Sequence, residues 1–169
     1  MWKQLKERLK GNVVMVGVGN PLRGDDAVGP ALVERLYGKI EADLLDVGEV
    51  PESYLSRITD LQPDTVLILD AVDVGAKPGS LAIIETSDLG NLNLSTHKMG
   101  LDLFMRYLQQ LTGADVFMLG IQPQTTHLGE PLSPGVELIL NCLESWLVKT
   151  LGGRQPGFSG MPGGVTGSW

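Results

Sequence analysis

The sequence predicts an α/β fold: a three-layer αβα sandwich whose mainly parallel, twisted five-stranded sheet carries helices on both faces. Three observations lead there. Strand-like and helix-like segments alternate along the chain, the strand-like runs are apolar on both faces, and the connections are short. A strand with one wet face would alternate apolar and polar residues, so a continuous run such as Val13 to Val18 asks for a helical layer above and below it. At 169 residues the chain suits one well-packed core. A single α/β domain is expected over 1–151, followed by a flexible tail over 152–169 that is too rich in Gly, Pro and Ser to pack.

Trp2, Leu5 and Leu9 recur at helical spacing among basic residues, which predicts a short amphipathic helix ending near Gly11 and lying against the sheet edge. Val13 to Val18 is the first strand, broken by Gly19, Asn20 and Pro21. From Asp26 the spacing of Val28, Ala31, Leu32 and Leu36 predicts a helix; Asp43 to Val47 offers the second strand, and Pro51 to Leu61 another helix with Glu52 in its first turn. Thr65 to Leu69 is the third strand and stops at Asp70. Ser80 to Ile84, after the turn residues Lys77, Pro78 and Gly79, is the fourth, and both read as interior or near-interior strands. Leu101, Phe104, Met105 and Leu108 mark a helix over His97 to Leu111, capped by Ser95 or Thr96. Asp115 to Leu119 is the fifth strand and Pro134 to Leu151 the closing helix.

Composition removes several classes of function. A formal net charge of -7 and a pI near 4.7 repel phosphate backbones, so nucleic acid is not an expected partner, although an acidic rim suits a basic peptide. Cys142 is the sole cysteine and can form neither an internal disulfide nor a thiolate cluster. It reads as an inert core residue of the last helix, and the chain as a cytoplasmic protein. No signal-peptide core and no bilayer-length apolar run is present, so direct membrane insertion is not expected. A monomer is expected.

In a doubly wound sheet, ligands gather beyond the carboxyl ends of the strands. Three segments there carry chemistry: Gly19 to Asp26 after the first strand, Asp70 with Asp73 after the third, and His97 ahead of a helix. Of the adjacent aspartates, one can cap the following helix while the other, Asp26, faces the crevice. Asp26, Asp70 and His97 would then make a mixed oxygen and nitrogen site suited to nickel, zinc, iron or manganese. Capping, turn bonding and a surface histidine are the bland readings of the same three residues. His127 reads as a surface residue. Gly17 and Gly19, with Asp46 at the end of the second strand, hint at a dinucleotide fingerprint, but Leu22 stands where the third glycine belongs.

The run Gly17-Val18-Gly19-Asn20-Pro21-Leu22-Arg23-Gly24-Asp25-Asp26-Ala27-Val28-Gly29-Pro30 resembles the GxGNxLxxDDxxG signature of the hydrogenase maturation proteases. Leu67 to Asp73 with Lys77-Pro78-Gly79, Ser95-Thr96-His97 and Gly120-Ile121-Gln122-Pro123 resemble further blocks of that family, and the resemblance covers roughly residues 12–150. It implies an aspartyl-type peptide hydrolase that removes the C-terminal extension from the large-subunit precursor of a nickel-iron hydrogenase after nickel insertion. Asp26, Asp70 and His97 fall on the family's nickel-contacting and catalytic positions; nickel is carried by the substrate, and no permanently bound cofactor is implied. The blocks look most like those of members serving hydrogen-evolving hydrogenases. Two rivals stand beside this reading: a nickel checkpoint or chaperone that does not cut, and a Rossmann-like oxidoreductase binding NAD through Gly17 and Gly19.

Overall fold

The computed structural model describes residues 1–92 and 100–153. In chain order the elements are α1 (Trp2–Arg8), β1 (Val13–Val18), α2 (Val28–Leu36), β2 (Asp43–Gly48), α3 (Leu55–Asp60), β3 (Thr65–Ala71), β4 (Leu81–Ile84), α4 (Leu101–Thr112), β5 (Asp115–Ile121) and α5 (Pro134–Leu151). Short 3-10 turns over Gly24–Ala27 and Pro51–Tyr54 lead into α2 and α3. The sheet order is β2-β1-β3-β5-β4, with β4 antiparallel to β5 and the other pairs parallel. This is the expected three-layer α/β arrangement.

Period-two alternation divides the strands between two cores. Met15, Leu67, Leu69, Phe117 and Leu119 face α1, α2 and α5, whereas Val14, Val16, Val66, Ile68, Val116 and Met118 face α3 and α4. Every residue of β1 and β3 is buried, as a strand covered on both faces requires.

Several expectations are corrected. The third strand does not stop at Asp70: β3 runs through Asp70 and Ala71, which pair with Gly120 and Ile121 of β5, so this aspartate belongs to the sheet and not to a turn. β4 is an edge strand, half-buried over most of its length, because a short apolar run alone does not distinguish an edge from the interior. α1 packs across a sheet face rather than an edge. Leu5 and Leu9 enter the core shared with α5, Trp2 meets Trp146 at 5.2 Å between ring centroids, and Arg8 lies 3.8 Å above the Phe117 ring while pairing with Glu85 and Asp115. Cys142 is exposed rather than core, because Val136, Leu140, Leu143 and Leu147 take the buried stripe of α5. Gly100 is the N-cap of α4; the expected start at His97 and the caps Ser95 and Thr96 lie outside the described residues, as does 154–169 of the tail.

The chain leaves β1 for β2 on one side and returns to β3 on the other. That reversal opens a crevice beyond the carboxyl ends of β1 and β3, the place where such sheets hold ligands.

Candidate active site

The loop that follows β1 is shaped by backbone crowding. A methyl on Gly17 would lie 2.6 Å from the Gly29 carbonyl oxygen, and one on Gly29 would lie 2.5 Å from that of Leu69 and nearer still to that of Val18. Glycine at both positions therefore seats the first turn of α2 directly on β1 and β3. Gly19 has φ +138, and a side chain there would strike the Asp26 carbonyl. These contacts account for both glycines through protein packing, without a dinucleotide.

Asp26 stands half-buried at the crevice wall, and its Oδ2 accepts the Asn20 N–H at 2.8 Å. The Asn20 side chain in turn accepts the Leu22 N–H at 2.9 Å, fixing the turn that presents the carboxylate. Neither aspartate caps the helix that follows, contrary to expectation. Asp25 points the opposite way and is fully buried. Its Oδ1 accepts the Ser133 N–H at 2.7 Å. Its Oδ2 accepts the Ser133 hydroxyl at 2.7 Å and the N–H groups of Gln124 and Thr125 at 2.8 and 3.3 Å. Ser133 is the N-cap of α5, so Asp25 ties the segment after β5 and the start of the last helix to the loop after β1. Gly24 and Asp25 add backbone bonds to the carbonyls of Glu130 and Thr125.

Asp70 is fully buried near the end of β3, immediately before Ala71 and Val72, which line the crevice. Asp26 follows β1 and Asp70 lies near the end of β3, so both belong to the same end of the sheet; Asp26 lines the crevice, whereas Asp70 is fully buried. His97 lies outside the described residues; Gly100, three positions later, lines the crevice. Among the described residues, no group of three or more His, Cys, Asp or Glu side chains is placed to hold a metal ion.

Gln122 is a crevice-lining residue that residue type alone did not single out. It is buried, its Oε1 accepts the N–H groups of Val74 and Ala76 at 2.8 and 3.2 Å, and its Nε2 donates to Asp73 Oδ1 at 3.1 Å. It thereby sets the loop after β3 against the loop after β5. The Asp73 carboxyl is held below the usual carboxylate range, first by the Gly75 N–H and then by the Gln122 amide. Asp73 is exposed and engaged in this turn.

The crevice has a volume of about 970 Å³. The segments after β1, β3 and β5 line one side; the other is lined by Pro51, Glu52 and Leu55 leading into α3 and by the first two turns of α4. Among the described residues, Asp26, Glu49, Glu52, Asp73 and Glu130 border it against one arginine, Arg23, so the described lining carries net negative charge. His127 stands at this rim, its Nδ1 3.8 Å from Glu130 Oε1. A crevice of this size has room for an extended peptide segment, and a carboxylate on its wall is the kind of group that can take a proton from water.

Fold and crevice together define an α/β protein with a carboxylate-bearing site at its strand ends. The family model for hydrogenase maturation proteases matches residues 28–149, and the chain belongs to that family. The hydrogenase 3 maturation protease of Escherichia coli is 34% identical over 140 residues, covering 79% of this chain and 89% of its own. Among solved structures, a NiFe hydrogenase maturation protease from Thermococcus kodakarensis superposes with a TM-score of 0.81 at 31% identity, covering 88% of this chain and 98% of that one. A hydrogenase maturating endopeptidase from Escherichia coli superposes with a TM-score of 0.67 at 25% identity, covering 80% and 88%. The protein is accordingly a peptide hydrolase acting in hydrogenase maturation.

Proposed function

We propose that the protein removes the C-terminal extension of a nickel-iron hydrogenase large-subunit precursor once nickel has been installed, and that nickel in the precursor is what it recognises. The observation that carries this reading is the placement of Asp26 on the crevice wall beside the strand end that holds Asp70. In this scheme Asp26, Asp70 and His97 meet the nickel held by the precursor, and the scissile bond comes to rest in the crevice. A carboxylate takes a proton from water as the water oxygen attacks the peptide carbonyl, and a proton is returned to the departing amine. Pre-positioning on Asn20 and the crowded glycines keeps Asp26 in place for that step. Nickel enters as cargo of the substrate. A single cysteine suits a reducing compartment, so the reading places the protein in the cytoplasm.

Nickel-edge X-ray absorption of the loaded precursor, alone and with the protein, tests the recognition step. Added oxygen or nitrogen scatterers are expected with the intact protein and not with His97→Ala or Asp26→Ala. An unchanged nickel spectrum in a stable complex would remove nickel recognition from the account.

A further inference from the structure

The helix α4 is apolar on more than its core side. Leu101, Phe104, Met105 and Leu108 are buried against the sheet. Leu103, Tyr107 and Leu111 are nevertheless 51%, 47% and 58% exposed, at successive spacings of four residues. Positions four apart lie one above the next on a helix, so these three form a stripe roughly 12 Å long. An amphipathic helix that has already supplied its core face has no packing reason for a second apolar line, and aligned exposed apolar residues mark contact surfaces in a way that scattered ones do not. Leu103 and Tyr107 also line the crevice, so the stripe is continuous with the site and leads away from it. Among the described residues, the crevice end of this track is acidic, with Asp26, Glu49, Glu52, Asp73 and Glu130 against Arg23.

We infer that this stripe is a docking track for the hydrogenase large-subunit precursor, an inference that rests on the proposed function. The occupant is a precursor segment that leaves the crevice, lays apolar side chains along Leu103, Tyr107 and Leu111, and offers at least one lysine or arginine to the acids. Apolar contact along α4 supplies affinity, and the negative crevice sets which segment enters.

Steady-state cleavage of nickel-loaded precursor by the full chain separates the possibilities. Tyr107→Gln and Leu111→Gln are each expected to raise KM about tenfold with kcat unchanged, the loss typical of one interface anchor. Leu138→Gln, on α5 at a residue 66% exposed and away from the crevice, is expected to leave both constants unchanged. KM of the unaltered protein is expected to rise with ionic strength as the crevice charges are screened. Unchanged KM in both α4 variants, with active unaltered protein, overturns the track while leaving the proposed function standing. KM insensitive to salt removes the cationic occupant. Failure of the unaltered protein to bind or cut loaded precursor overturns both readings. Sedimentation of the protein alone completes the test: self-association abolished by Leu111→Gln would assign the stripe to a second copy and overturn the proposal.

Discussion

The adjacent aspartates Asp25 and Asp26 make entirely different contacts. Asp25 is fully buried and its carboxylate accepts four hydrogen bonds from Gln124, Thr125 and Ser133, so Asp25→Ala strands those donors. Unmade bonds to a buried charge make this substitution costly, and a loss of about 3 kcal/mol in chemical denaturation is expected. Asp26→Ala is expected to cost under about 1 kcal/mol, since the residue is half-buried, yet to abolish cleavage. The sequence made both residues visible and pointed to Asp26 as the one facing the crevice. It could not show what Asp25 holds, because those partners lie 99 to 108 residues away along the chain. Asp73 makes a second prediction at this scale. With its pKa lowered in the folded protein, its contribution to the 73–76 turn is present above the ordinary carboxylate range and is lost as pH falls through the depressed value. Carboxyl NMR titration of Asp73 should show a midpoint below that range, and Gln122→Ala should move it upward. A midpoint unmoved by that substitution would separate Gln122 from the effect.

Among the elements, the first turn of α2 is the most tightly constrained. Gly29→Ala places a methyl against the backbone carbonyls of Val18 and Leu69, atoms that cannot rotate away. Overpacking of this kind is expected to destabilise by about 2 kcal/mol or more in denaturant titration, and cleavage should fall because Asp26 lies three residues earlier on the same turn. Element type was legible wherever periodicity was strong: β1 and α5 fall at the predicted boundaries, and α2 differs only by its 3-10 entry. Tertiary pairing decided the rest. β3 extends through Asp70 because β5 supplies partners as far as Ile121, and β4 lies at the edge because only β5 pairs with it. Neither fact is written in the local residue pattern.

At the scale of the whole molecule, the reversal of strand order between β1 and β3 explains why distant segments meet. The signature loop, the end of β3 and the segment after β5 reach one crevice because their strands are neighbours pointing the same way. That the loops after neighbouring parallel strands share one end of the sheet was legible from the α/β alternation alone. The acidic, half-apolar character of the crevice was not, since it depends on Glu49, Glu52, Leu103 and Tyr107, brought in from the opposite wall. No helix among the described residues is long and apolar enough to cross a membrane. The most direct measurement of the central claim is the intact mass of a large-subunit precursor after incubation with the protein, taken for nickel-loaded and nickel-free precursor. Loss of a C-terminal peptide from loaded precursor alone, and no loss with Asp26→Ala, is the predicted result; equal trimming of nickel-free precursor, or full activity in Asp26→Ala, would contradict it.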